Sequence, residues 1–93
     1  MLEKIKSALG ITSHVFDVEI TDNIAVALAD MEFTTDINYI EQNDPLIFKA
    51  VTTYCAYMHN LLHGNADVSD KFKTAYEEQK KALLMSGKYS FGG

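Results

Sequence analysis

Apolar residues recur along this chain at helical spacing, and the first such group lies at the N-terminus. Leu2, Ile5 and Leu9 stand at i, i+3 and i+7, which places them on one side of a short helix over Leu2–Leu9. Gly10 follows directly, and glycine is the usual residue in the left-handed position just past a helix end.

A second, longer helix is predicted to begin near Asp17, a common N-cap residue, and to run to about Phe33. Its apolar stripe consists of Ile20, Ile24, Ala27, Leu28 and Met31. The segment Thr34–Asn43, TTDINYIEQN, is rich in β-branched residues and asparagine. We expect it to be a loop with some of its apolar side chains turned inward.

The third helix has the clearest start in the chain. Asp44 is a good N-cap, and Pro45 fits the first helical position, where the missing N–H of proline is not needed. The helix is predicted to reach about His63 and to stop at Gly64. Its core face consists of Ile47, Val51, Tyr54, Met58 and Leu62, with Cys55 at the edge of that face.

The fourth helix is predicted to begin near Val68 or Ser69 and to end near Ser86. Its buried side consists of Phe72, Tyr76 and Leu83, with Ala75 and Ala82 beside them. The last residues, GKYSFGG, are too short and too glycine-rich to fold alone. The predicted fold is therefore all-α: a small bundle of about four helices over residues 1–87, and a flexible C-terminal tail over 88–93.

A second apolar strip lies on the third helix, away from its core face. Its members are Leu46, Ala50 and Tyr57. A helix that is apolar on two sides is buried on two sides. The strip therefore predicts either an interface with another subunit or packing within the chain by the first helix or the tail.

Charge is unevenly distributed. The net charge is −5, and the range 17–44 holds eight acids and no lysine or arginine, whereas five of the eight lysines lie between Lys71 and Lys88. Arginine, the residue most used for reading bases and clamping phosphates, is absent from the sequence. Sequence-specific DNA binding is therefore not expected.

The cysteine count and the apolar runs of the sequence indicate the cellular compartment in which the protein is made. A single cysteine cannot form an internal disulfide, and the chain has no apolar run long enough for a signal peptide or a membrane span. We therefore expect a protein made in a reducing cytoplasm, with no membrane partner.

The most suggestive chemistry is at Cys55, His59 and His63, which are spaced four residues apart and are types that zinc prefers. On a helix, however, His59 and His63 drift about 40° and 80° from Cys55 towards solvent. A stable zinc site also needs a further ligand, and the sequence does not say which carboxylate of another helix would supply it. Asn60 stands where the metalloprotease pattern needs glutamate. No metal site is predicted.

The same stretch is weak as a catalytic centre. A Cys55–His59 nucleophile pair would need an oxyanion hole and a cleft, which a small bundle does not offer. None of the five glycines belongs to a phosphate-binding loop. We therefore predict a protein that is not an enzyme, with no catalytic residue and no cofactor.

Four motifs in order give the chain a family resemblance. They lie in MLEKIKSALGIT, FDVEITDNIAVALADM, NDPLIFKAVTTYCAYM and FKTAYEEQKKALLMSGKY. The residues concerned are Lys4, Ile5, Lys6, Leu9, Ile11, Ala29, Asp30, Asp44, Pro45, Leu46, Ile47, Ala50, Tyr54, Phe72, Tyr76, Leu83, Ser86 and Tyr89. Their order and spacing resemble the small head–tail connector (adaptor) proteins of tailed phages and prophages, the HK97-type DNA-packaging group. The segments EFTTDINYIEQ and HGNADVSD depart from that pattern.

The resemblance implies a structural role at the head–tail junction of a virion. Such proteins are helical bundles that form a ring beneath the roughly twelve-fold portal, extend the DNA channel and offer a platform for a stopper or tail-completion protein. The tail of the family is implicated in docking to the portal. Here that implicates Lys88, Tyr89, Ser90 and Phe91.

Two expectations concern the acidic block, the range 17–44 that holds eight acids. If the chain is a connector, DNA must slide through the ring without binding, so we expect part of 17–44 to face the channel or its rim. The alternative is a small acidic helical protein that inhibits another protein, for instance by mimicking the charge of DNA. The lysine-rich fourth helix does not favour that alternative.

Overall fold

The computed structural model describes residues 1–35 and 44–85, which form four α-helices. They are α1 (Leu2–Leu9), α2 (Asp17–Thr35), α3 (Pro45–Leu62) and α4 (Ala66–Met85). These two ranges contain no strand. The predicted all-α bundle of about four helices is therefore confirmed. The tail 88–93 and most of the predicted loop, 36–43, lie outside the described residues.

The ends of the helices follow their local chemistry. The Leu46 N–H donates to Asp44 Oδ1 at 2.8 Å, with Pro45 at the first helical position. Gly10 closes α1 with φ of 73° and donates its N–H to the last turn. The predicted loop starts too early, because Thr34 and Thr35 still belong to α2. The fourth helix likewise begins two residues before the predicted start.

Helix α3 lies against each of the other three helices, most extensively against α4. The buried core consists of Ile5, Ile20, Ala27, Met31, Ile47, Ala50, Val51, Cys55, Tyr76 and Leu83. Most of the predicted core positions are thus confirmed. Two residues are exceptions: Leu62 is the last residue of α3 and is 57% exposed, and Ala82 of α4 is exposed. Cys55 is fully inside the core, whereas it was expected at the edge.

The predicted second strip of α3 is covered within the chain along much of its length. Ser69 Oγ of α4 donates to the Tyr57 carbonyl at 3.2 Å. Ala50 is buried in the core, which for this residue agrees with the second alternative, packing within the chain. Tyr57 is half-buried, and only Leu46, 51% exposed, remains open at the start of the helix.

An ion pair joins α1 to the start of α2. The side chain of Lys6 is 4% exposed, and its Nζ lies 2.8 Å from Asp17 Oδ1. His14 Nδ1 lies 2.9 Å from the other carboxylate oxygen. Hydrogen bonds from Lys6 and then His14 lower the pKa of Asp17 below its ordinary value of 3.8. Asp17 was predicted to be an N-cap, but its carboxylate binds Lys6 instead.

The N-cap of α3 offers a direct test of how this helix starts. Asp44→Ala removes the acceptor for the Leu46 N–H, and we expect it to lower the free energy of unfolding by about 1 kcal/mol. Asp44→Asn, which keeps a capping oxygen, should recover most of that loss. Urea unfolding followed by circular dichroism measures both. Equal losses in the two variants would show that the charge, and not the cap, stabilises the helix.

The Lys6–Asp17 pair predicts a pH dependence. Because the folded pKa of Asp17 is lowered, its contribution is complete above the unfolded value of about 4 and is lost as pH falls through the lowered folded value. Wild type should therefore be more stable than Asp17→Asn near neutral pH, and the two should converge in acid. Urea midpoints measured between about pH 7 and pH 2 test this, with Asp22→Asn as the control for losing one exposed charge. A difference that stays constant across this range would contradict it.

Candidate functional site

A carboxylate and two imidazoles come together where α2 begins and α3 ends. Glu19 lies in the first turn of α2, and His59 and His63 lie one turn apart at the end of α3. His63 Nε2 donates to the Glu19 carboxylate, at 3.2 Å from Oε1 and 3.1 Å from Oε2. One ligand-type atom from each of the three side chains lies within 4.8 Å of the others. This is a two-histidine, one-carboxylate arrangement, which we call the Glu19 cluster.

Phe16 forms the apolar wall of the Glu19 cluster. Its ring contacts both imidazoles edge-on, with centroids 5.0 Å from His59 and 4.7 Å from His63. The two imidazole centroids are 4.6 Å apart. The side chains of Glu19 and His63 are 23% and 37% exposed, so water reaches the cluster from their side. His59 Nδ1 is buried and has no hydrogen-bond partner among the described residues.

Cys55 is not part of this cluster. It is 1% exposed, and burial raises the pKa of its thiol to about 12. A thiol acts as a nucleophile or metal ligand only when deprotonated, so Cys55 is inert at neutral pH. Of the three residues singled out in the sequence, His59 and His63 do lie together. The third member of their group is Glu19 of α2, and not Cys55.

A second polar group joins the far ends of α2 and α4. Tyr76 Oη donates to Asp30 Oδ2 at 2.8 Å, and Lys80 Nζ donates to the same oxygen at 2.9 Å. The Lys80 ammonium also lies 4.9 Å from the centre of the Tyr76 ring. Burial first, and then the bond to Asp30, raise the pKa of Tyr76 far above its ordinary value, so the phenol stays protonated.

A shallow cleft of about 290 Å³ opens beside the Asp30–Tyr76–Lys80 group. Its lining residues come from three helices: Val26, Asp30, Tyr54, Tyr57, Lys73, Tyr76, Glu77 and Lys80. Lys80 is paired with Asp30 at 2.9 Å and with Glu77 at 3.4 Å, whereas Lys73 is exposed and forms no ion pair among the described residues. The cleft therefore offers three tyrosines and one unpaired lysine.

The acidic block is largely committed to the fold. Asp17 pairs with Lys6, Glu19 with His63, and Asp30 with Lys80, while Asp44 caps α3. Asp36 and Glu41 lie outside the described residues. Asp22 remains exposed. Four of the acids in the range 17–44 are thus held by contacts within the chain.

An apolar stripe on the outer side of α2 was not predicted from the sequence. It consists of Val18, Ala25, Val26, Ala29 and Phe33, all of them exposed. Phe33 is 87% exposed and Val18 76%. The signal was present, because these residues share one side of the helix opposite Ile20, Ala27 and Met31. We call this surface the α2 stripe.

Two further predictions concern binding surfaces. Lys88, Tyr89, Ser90 and Phe91, predicted to dock to a portal, lie outside the described residues. Smaller apolar patches occur elsewhere, most clearly near the α3–α4 turn, where Leu61, Leu62 and Val68 are 46%, 57% and 43% exposed.

Comparisons with known proteins add no relative. No model of a known family, no curated protein sequence and no solved structure matched the chain. Among the helices that the structure describes, none has the length and hydropathy needed to cross a membrane.

The bond between Tyr76 and Asp30 can be measured by a double-mutant cycle. Tyr76→Phe and Asp30→Ala should show a coupling energy of about 1 kcal/mol, because the acceptor is charged but partly exposed. Pairing Tyr76→Phe with Asp22→Ala is the matched control and should show additivity. Urea unfolding of all variants checks this, and additivity in the Asp30 cycle would contradict the predicted contribution.

Proposed function

We propose that this chain is a structural subunit of the head–tail junction of a tailed phage or prophage. It assembles into a ring beneath the portal, extends the DNA channel and carries the stopper or tail-completion protein. The motif order supports this role, and so does the helical bundle, which is the architecture that the resemblance implies. The observation that carries the proposal is the α2 stripe, because it offers an exposed apolar surface through which copies of the chain can meet.

The α2 stripe is a surface that favours burial. Fully burying one Val or Phe side chain stabilises an association by about 1.5–3 kcal/mol. Phe33, at 87% exposed, has most of that energy still available, and Val26, at 50% exposed, has about half. The self-contact therefore uses α2, with Leu46 as a second exposed residue, and not the predicted strip through Ala50.

The positions of the exposed apolar residues favour a head-to-tail contact. The Glu19–His63 bond holds the start of α2 beside the end of α3. Phe33 lies 14 residues further along α2, about 21 Å away. Phe33 and the patch at Leu61, Leu62 and Val68 are thus at opposite ends of the bundle. A subunit that uses two different surfaces forms heterologous contacts, which close into a ring when the rotation allows.

Charge supports the connector over the rival DNA mimic. A mimic needs a dense field of free carboxylates, but Asp17, Glu19 and Asp30 are each paired inside the chain. The chain has no arginine, and its eight lysines are outnumbered by thirteen acids. A channel built from such subunits would bind phosphates weakly, because lysine and arginine contacts drive that binding. A channel wall lined mainly by Lys71, Lys73, Lys80 and Lys81 would contradict this part of the proposal.

Assembly is the direct test. The purified chain, alone at high concentration and mixed with purified portal protein from the same genome, should form ring-shaped particles with a central channel. Light scattering and negative-stain electron microscopy measure this. Val26→Asp and Phe33→Asp should each weaken assembly at least tenfold, since each removes apolar area and puts a charge in the contact.

Ala8→Asp is the matched control, because it makes the same apolar-to-acid change at an exposed position of α1. It should assemble like wild type. A chain that stays monomeric at high concentration and does not bind portal would overturn the proposal. A one-to-one complex with a nucleic-acid-binding protein, together with that result, would favour the mimic.

A further inference from the structure

We propose that the Glu19 cluster is a binding site for one divalent transition-metal ion of the zinc type, held by Glu19, His59 and His63. This site is independent of the connector proposal, since it uses only contacts within one chain. The ion would join the start of α2 to the end of α3.

The spacing of the donor atoms carries the proposal. Ligands bound to one zinc ion at 2.0–2.2 Å lie about 3.0–3.5 Å from each other. His63 Nε2 and the Glu19 oxygens, at 3.1 and 3.2 Å, already have this separation. The three ligand atoms all fall within 4.8 Å of one another, so a small side-chain rotation completes the set.

The donor types select the metal. Two imidazoles and one carboxylate suit zinc and its neighbours, whereas magnesium and calcium prefer oxygen ligands alone. Three protein ligands with one open position, filled by water, is a common zinc arrangement. The exposure of Glu19 and His63 leaves a path for that water. Cys55 contributes nothing, because its thiol is buried and protonated.

The Glu19 cluster contains a buried nitrogen atom, His59 Nδ1, without a hydrogen-bond partner among the described residues. Buried groups of this kind are rare in proteins and often mark an ion or water. Phe16 packs against both imidazoles and restricts their orientation, which lowers the entropy lost on binding.

Binding would replace a hydrogen bond by metal coordination. In the metal-free chain His63 Nε2 carries the proton that it donates to Glu19. That nitrogen must be without a proton before it can ligate, so in a neutral imidazole the proton moves to Nδ1 when zinc binds. The Glu19–His63 hydrogen bond is then replaced by two bonds to one ion.

Isothermal titration of the full chain with zinc chloride tests the site. We expect one zinc per chain, and a rise in Tm of about 10 °C or more when free zinc is 100-fold above Kd. Magnesium chloride should give neither effect. With cobalt chloride, visible absorption bands of a tetrahedral or five-coordinate ion should appear without a thiolate charge-transfer band.

Three variants test which residues bind the ion. His59→Ala, His63→Ala and Glu19→Gln should each weaken zinc binding at least tenfold. His14→Ala is the matched control, because His14 is the one remaining histidine, is 83% exposed and lies outside the Glu19 cluster. Circular dichroism checks that each variant folds, and Glu19→Gln, the mildest change, decides the matter if the alanine variants do not.

The outcomes are distinct. Zinc bound equally by wild type and Glu19→Gln, or weakened as much by His14→Ala, would overturn the proposal. One zinc per two chains, with dimers in light scattering, would show a bridging ion and would also overturn it. Failure of zinc binding leaves ring assembly unaffected, because the α2 stripe does not include the cluster.

Discussion

The burial of α3 on several sides is the constraint on which the rest of the molecule depends. Each of the other helices packs against it, and Ile47, Val51 and Cys55 supply the centre of the core. Its start is set by Asp44 and Pro45. Because α3 is held on several sides, it aligns the end of α2 with the end of α4, and the beginning of α2 with its own last turn. The Glu19 cluster and the Asp30–Tyr76–Lys80 group exist because of that alignment.

Much of the fold was predictable because it depends on local chemistry. Gly10 and the Asp44–Pro45 pair end or start helices by backbone geometry alone, and the stripe through Ile20, Ala27 and Met31 needs only the helical repeat. Ala50 shows the limit. Periodicity placed it on a second apolar side of α3, but it cannot tell whether the covering surface belongs to the same chain or to another one.

Only part of the candidate site, the two histidines, could be predicted from the sequence. His59 and His63 share a helix, so their spacing is visible in the sequence. Glu19 lies 40 residues before His59, and it reaches them only because α2 and α3 run antiparallel at that end. Asp17 and Asp30 were hidden for the same reason. Their lysine partners are on other helices, so their charge reads as solvated until the helices are placed together.

The buried Cys55 can serve as a probe of the stability of the bundle. Thiol reagents react with the thiolate, and a pKa of about 12 combined with 1% exposure suppresses that form while the core is closed. Since this is the sole cysteine, every labelling event must follow an opening of the bundle around α3. When closing is faster than labelling, the modification rate reports the equilibrium between closed and open states. The natural chain thus carries a single-site probe of its core without any introduced label.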